Sequence, residues 1–148
     1  VLTTVNSISV TKAVTNTSLD NDGTGGTNDD TVTVGEIVTY TLTVTMPEGL
    51  APDFRIRDNL PIGMAYVPGS LSIDATGYVG SVSIPAVSPT SGVAFGNGQD
   101  IEFDFTSIST TDDNITTNNT FTITYQAVVL DVGDRSPDGE ANDGLGTT

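Results

Sequence analysis

Two charged residues occupy positions that an alternating strand would bury. Lys12 is the single lysine of the chain and lies in Ser7-Ile8-Ser9-Val10-Thr11-Lys12-Ala13-Val14-Thr15. Successive side chains of a strand point to opposite faces, so Ile8, Val10, Lys12 and Val14 share one face and Ser9, Thr11 and Thr15 the other. Asp58 repeats the anomaly: in Asp53-Phe54-Arg55-Ile56-Arg57-Asp58 it shares a face with Phe54 and Ile56. A buried ammonium or carboxylate is costly unless it is paired or neutralised, so the two are predicted to meet on facing interior rows. The residues alone leave open an ordinary buried salt bridge and a Lys12 that snorkels from a strand near the sheet rim. A second candidate site is the acidic, glycine-rich stretch from Asp20 to Asp30, where Asp20, Asp22, Asp29 and Asp30 offer the hard oxygen ligands that calcium takes. It is not an EF-hand, because Thr31 stands where that loop needs a glutamate. The competing reading of the same stretch is a solvated, flexible loop that keeps the domain soluble.

The elements that must carry these residues are strands. In Glu36-Ile37-Val38-Thr39-Tyr40-Thr41-Leu42-Thr43-Val44-Thr45-Met46 the residues Val38, Tyr40, Leu42, Val44 and Met46 point inward and the threonines outward. Ile101, Phe103 and Phe105 alternate with Glu102 and Asp104, and Phe121, Ile123, Tyr125, Ala127 and Val129 alternate with Thr122, Thr124 and Gln126. Shorter strands are predicted at Met64 to Val67, Leu71 to Ile73 and Ser81 to Ile84, with Gly and Pro between the runs. No segment shows a helical period. Many short strands with turn signals between them predict an all-β, antiparallel Ig-like β-sandwich. We expect one domain over residues 1–148, with loops at 20–30 and 131–148 and no final strand in the second of them.

Composition removes several functions. There are 19 Asp and Glu against 4 Lys and Arg, for a formal charge of −15. Such a surface repels nucleic acid and anionic membranes and attracts divalent cations. The absence of histidine and cysteine excludes the usual zinc sites, cysteine nucleophiles and Ser-His catalysis, and removes disulfides as a stabiliser. No apolar stretch approaches the roughly 20 residues of a membrane span, and no signal peptide is present, so an exported protein would contain this chain as an excised piece.

In order along the chain, Val10-Thr11-Lys12-Ala13-Val14, Val34-Gly35-Glu36-Ile37-Val38-Thr39-Tyr40-Thr41-Leu42-Thr43-Val44 and Arg57-Asp58-Asn59-Leu60-Pro61-Ile62-Gly63-Met64 resemble the conserved repeat domain of bacterial surface adhesins and the isopeptide-forming domains of fimbrial proteins. The resemblance implies that Lys12 is the nucleophile of a Lys–Asn isopeptide bond and Asp58 the assisting acid, with the acceptor asparagine on a last strand. Amide formation needs a neutral amine, burial lowers a lysine's pKa, and a neighbouring carboxyl can shuttle the proton. Such a bond forms once, so the chain is not an enzyme beyond a single autocatalytic turnover. The family's acceptor strand has no counterpart here: the chain ends Gly144-Leu145-Gly146-Thr147-Thr148, and Asn142 sits in a glycine-rich context. We therefore expect an open edge beside the first strand, no Lys12–Asn bond within residues 1–148, and a partner strand that could supply the asparagine. A less favoured arrangement makes Asp58 the acceptor, with Glu36 or another acid assisting.

Two functions from different classes follow. The first is a structural, adhesive module of a large bacterial cell-surface protein, extracellular, whose partners are neighbouring repeats of the same polypeptide or a complementing strand. The second is a calcium-dependent domain that holds a cell-surface sugar or protein ligand. A hydrolase fares worse, because Glu102 and Asp104 project from an outward face without an aromatic cleft, and there is no tryptophan.

Overall fold

A computed structural model describes residues 7–21, 23, 31–89, 99–131, 134–135 and 141–142. The chain forms an antiparallel β-sandwich. Thirteen strands follow in order among the described residues: β1 (Ser9–Thr17), β2 (Ile37–Thr45), β3 (Gly49–Pro52), β4 (Arg55–Asn59), β5 (Met64–Tyr66), β6 (Ser72–Asp74), β7 (Gly80–Ser81), β8 (Ala86–Pro89), β9 (Asp100–Asp104), β10 (Ser107–Thr110), β11 (Thr120–Val129), β12 (Asp134–Arg135) and β13 (Ala141–Asn142). The only other regular element described is a single 3₁₀ turn at Thr116–Asn118.

One sheet runs β1-β2-β11, and β5 and β6 both pair with the far side of β11. The other side of the sandwich is built from β4-β9-β8 and β3-β10-β7. These two triplets are halves of one bent layer. Asp53, between β3 and β4, and Thr106, between β9 and β10, both adopt left-handed backbone angles, with φ of 52° and 58°. The Asp53 amide donates to the Thr106 carbonyl, and Asp104 Oδ1 accepts from the Thr106 amide at 2.9 Å, so the bend is hydrogen-bonded on both strands.

The alternating rows of β2 and β11 form the core. Val38, Tyr40, Leu42 and Val44 face inward on β2, as do Phe121, Ile123, Tyr125 and Ala127 on β11, all buried. Their register is in phase, with Tyr40 opposite Tyr125 and Leu42 opposite Ile123. Across the sandwich they meet Ile101, Phe103, Phe105 and Ile108, with Phe103 and Tyr125 rings 5.4 Å apart and Phe105 and Phe121 rings 6.1 Å apart. Burial of a side chain of this size contributes roughly 1.5–3 kcal/mol, so these two rows dominate stability.

Several expected boundaries shift. The strands expected at 64–67, 71–73 and 81–84 appear as Met64–Tyr66, Ser72–Asp74 and Gly80–Ser81, while β3, β8 and β10 were not anticipated. The C-terminal stretch, expected as a loop, contains the short hairpin of β12 and β13, with Asn142 opposite Asp134.

Candidate functional site

The inward face of β1 carries Val10, Lys12 and Val14 into register with Val44, Leu42 and Tyr40 of β2. Lys12 therefore points toward the sandwich interior, as alternation requires. The row it belongs to is not buried, however: Ile8 and Val10 are each 42% exposed. The cause is topological. Among the described residues β1 pairs only with β2, and β4, the strand opposite, pairs only with β9. The two outer strands face each other across an open side of the sandwich, and a groove of about 520 Å³ runs between them, lined by Ile8, Val10, Lys12, Leu42, Phe54 and Asp58 among others. The bulge between Val14 and Asn16 then turns Thr17 inward beside Val38, where it is buried.

Asp58 comes from the other layer. It pairs with the fully buried Ile101 on β9, so its side chain also points inward. Lys12 Nζ donates to Asp58 Oδ1 at 2.8 Å, and the side chains are 29% and 11% exposed respectively. The lysine is thus partly solvated at the groove rim, and the acid is nearly enclosed. Lys12 Nζ also stands 4.2 Å from the centre of the Tyr40 ring, a cation–π contact on the inner side.

A fourth residue completes the cluster. The Tyr125 hydroxyl donates a short hydrogen bond to Asp58 Oδ2, the oxygen that Lys12 does not use. Tyr125 is fully buried and held by rings on three sides: Tyr40 at 5.5 Å, Phe103 at 5.4 Å and Tyr66 at 6.1 Å. Burial, reinforced by the Asp58 carboxylate, pushes the Tyr125 hydroxyl far above the ordinary phenol range. It keeps its proton and acts as a fixed donor. Burial and the same carboxylate also raise Tyr40. The carboxylate of Asp58 is consequently oriented, one oxygen toward the core phenol and the other toward the groove amine.

Glu36, weighed as an assisting acid, belongs elsewhere. Its carboxylate accepts from the Thr33 amide at 2.9 Å, from Asn21 Nδ2 at 2.7 Å and, more distantly, from the Leu19 amide and the Thr33 hydroxyl at 3.4 Å each. These bonds tie together the two ends of the acidic stretch and, led by the Thr33 amide, hold Glu36 below its ordinary value of 4.5. Of the four aspartates considered for calcium, Asp20 is exposed and its Oδ1 accepts from the Gly23 amide at 2.8 Å, while Asp22, Asp29 and Asp30 lie outside the described residues. Glu102 and Asp104 are engaged by arginines, with Arg57 Nε 2.8 Å from Glu102 and Arg55 Nε 3.0 Å from Asp104. No described helix is long and apolar enough to cross a membrane.

No protein-family model matches the chain, and no curated protein matches it. Three solved structures are similar to it. The T6 backbone pilin of serotype M6 Streptococcus pyogenes has 21% identity and a TM-score of 0.46, over 87% of this chain and 27% of that one. The pilus backbone protein of Streptococcus pneumoniae has 17% identity and a TM-score of 0.42, over 85% of this chain and 47% of that one. A putative membrane anchored protein from Corynebacterium diphtheriae has 16% identity and a TM-score of 0.42, over 84% of this chain and 28% of that one. The chain thus spans between about a quarter and a half of the length of these proteins.

Sequence reasoning placed Lys12 and Asp58 but passed over Tyr125, which reads as one more inward residue of β11. The signal was present. A phenol in a fully apolar row must find a partner for its hydroxyl, and Asp58, the acid predicted for the interior, has a second carboxylate oxygen beyond the one that Lys12 takes.

Proposed function

We propose that the chain is a load-bearing module of a bacterial cell-surface polymer, extracellular, in which Lys12 forms an isopeptide bond to an asparagine on a strand that seats in the groove between β1 and β4. The observation that carries this reading is the 2.8 Å contact of Lys12 Nζ with Asp58 Oδ1 on the open side of the sandwich. The strand comes from a neighbouring repeat or another polypeptide and adds to an exposed edge, where main-chain hydrogen bonds give affinity.

In the open groove Lys12 and Asp58 stand as an ion pair whose amine is part-solvated, and the ammonium is not a nucleophile. A seated strand excludes water from the pair. Desolvation disfavours both charges, so the proton moves along the existing hydrogen bond from Lys12 to Asp58. The neutral amine then attacks the side-chain amide carbon of the asparagine. Asp58, now a carboxylic acid, donates to the carbonyl oxygen and passes its proton to the departing nitrogen, and its carboxylate then takes a proton from the attacking Lys12 nitrogen. One carbon–nitrogen bond forms, one breaks, and ammonia leaves. Tyr125 keeps Asp58 oriented throughout, and Tyr40 holds the amine beneath the incoming strand.

Such a covalent tie would suit a chain without cysteine that must resist extension. The test is to mix the purified chain with a synthetic β-branched peptide carrying a central asparagine and to examine the product on a denaturing gel. A Lys12-dependent adduct lighter by one ammonia than the sum of its parts supports the proposal. Absence of an adduct with any asparagine register in the peptide rejects it.

A further inference from the structure

At the end of the sandwich where β2 runs into β3 and the 3₁₀ turn into β11, three acceptor oxygens are buried without a protein donor: Glu48 Oε1, Asn118 Oδ1 and Asn119 Oδ1. They are the buried side-chain atoms of this kind among the described residues. A closed circuit of backbone bonds brings their residues together. The Met46 amide donates to the Asn119 carbonyl at 2.9 Å, and the Val79 amide donates to the Asn118 carbonyl at 3.0 Å. The Thr111 amide donates to the Val79 carbonyl at 2.9 Å, and Thr110 pairs with Gly49, the residue after Glu48.

Each orphan is costly by itself, and a carboxylate oxygen most of all. The assignment of Asn118 is fixed by its other atom: Nδ2 donates to Asp113 Oδ2 at 2.8 Å, which leaves Oδ1 as the free acceptor. Asn119 is only 3% exposed. Among the described side chains no cation serves this end, since their ion pairs use Lys12, Arg55 and Arg57 on the groove side and the outer face of β4. Among the described residues the unpartnered buried side-chain atoms at this end are all oxygens, one from a carboxylate and two from carboxamides, in a protein of net charge −15.

We propose that Glu48, Asn118 and Asn119 hold a hard divalent cation of the calcium type. A carboxylate with carboxamide oxygens is the donor set such ions take, water completing the shell. Three protein side-chain ligands imply weak binding, with a dissociation constant on the order of 10⁻⁴–10⁻³ M, the range of extracellular modules. The ion would lock the β2–β3 turn to the start of β11. This site uses none of the aspartates at 20–30 and no residue of the Lys12 cluster, and does not depend on the cross-linking proposal.

The experiment is thermal unfolding and calorimetric titration with calcium chloride alone, at constant ionic strength, with magnesium and sodium chloride as comparisons. An ion that binds only the folded state at a hundred times its dissociation constant raises the folded-to-unfolded ratio about 100-fold. The parent chain is expected to show a saturable rise in melting temperature with calcium. Glu48→Gln is expected to melt no lower than the parent in EDTA and to bind calcium at least ~10-fold more weakly, since one anionic ligand is gone. A chain carrying Asp20→Asn and Asp22→Asn should respond like the parent. If Glu48→Gln does not fold, Asn119→Ala carries the same comparison. The proposal fails if the parent shows no saturable rise, if sodium produces the same rise, or if the rise survives Glu48→Gln and is lost in the Asp20 and Asp22 variant.

Discussion

Removal of one oxygen atom, by Tyr125→Phe, probes the inter-sheet cluster most cleanly. The ring is fully buried and its packing against Tyr40, Tyr66 and Phe103 is unchanged by the substitution, so no cavity of consequence forms. The loss is the hydrogen bond from the phenol to Asp58 Oδ2. Hydrogen bonds to a charged group contribute about 1.5–3 kcal/mol. Asp58 is only 11% exposed, so little water can replace the missing donor, and the cost should sit near 2 kcal/mol. For a chain of this size that corresponds to a fall in melting temperature of roughly 4–8 °C. The assay is a double-mutant cycle by chemical denaturation, combining Tyr125→Phe with Asp58→Ala. If the two residues act on each other as the geometry has it, Tyr125→Phe costs little in the Asp58→Ala background, and the coupling is about 1.5–3 kcal/mol. Additive single effects would show that the short bond to Asp58 contributes nothing, and would remove Tyr125 from the cluster.

Further outcomes follow from the same geometry. Lys12→Ala should cost no more than about 1 kcal/mol in the isolated chain, because the amine is part-solvated on an edge strand, a small effect measurable by denaturant unfolding. Glu36 has a folded-state value below its ordinary 4.5, so it stabilises the fold above pH 4.5, and that contribution is lost as pH falls through the folded value. Glu36→Gln should therefore flatten the acid limb of a stability–pH curve, with no change of slope above neutrality. Gly80→Ala should destabilise by about 1–3 kcal/mol or more in a thermal melt, because a Cβ there would stand 2.1 Å from the Ser109 carbonyl oxygen, which is fixed in the sheet.

Much of the fold was legible because β2 and β11 bury one face completely and leave half-buried threonines on the other. Alternation there has a single solution, and it also placed Lys12 and Asp58 on facing inner rows. It said nothing of how deeply they are buried. Parity reports which way a side chain points, whereas burial depends on whether a neighbouring strand covers it, and β1 has none on its outer side among the described residues. β3 and β8 escaped for a related reason: Leu50 is 69% exposed and the β8 segment ends in proline, so their patterns do not alternate between core and solvent, whereas β10 alternates but buries only one apolar side chain, Ile108, its other buried residue being Thr110. Glu36 was legible in principle, since it shares parity with Val38 and Tyr40. Its buried carboxylate is satisfied by backbone and side-chain donors from both ends of a long loop, a convergence that no local pattern encodes.

The most direct test of the central reading is the intact mass of the chain before and after exposure to an asparagine-bearing strand peptide. The account predicts the full, unmodified mass for the isolated chain and a covalent adduct short of one ammonia after mixing, absent in Lys12→Ala. A deficit of one water in the isolated chain would mean that Lys12 has already condensed with Asp58, and unreacted masses in every mixture would mean that the pair is only a salt bridge; either result contradicts it.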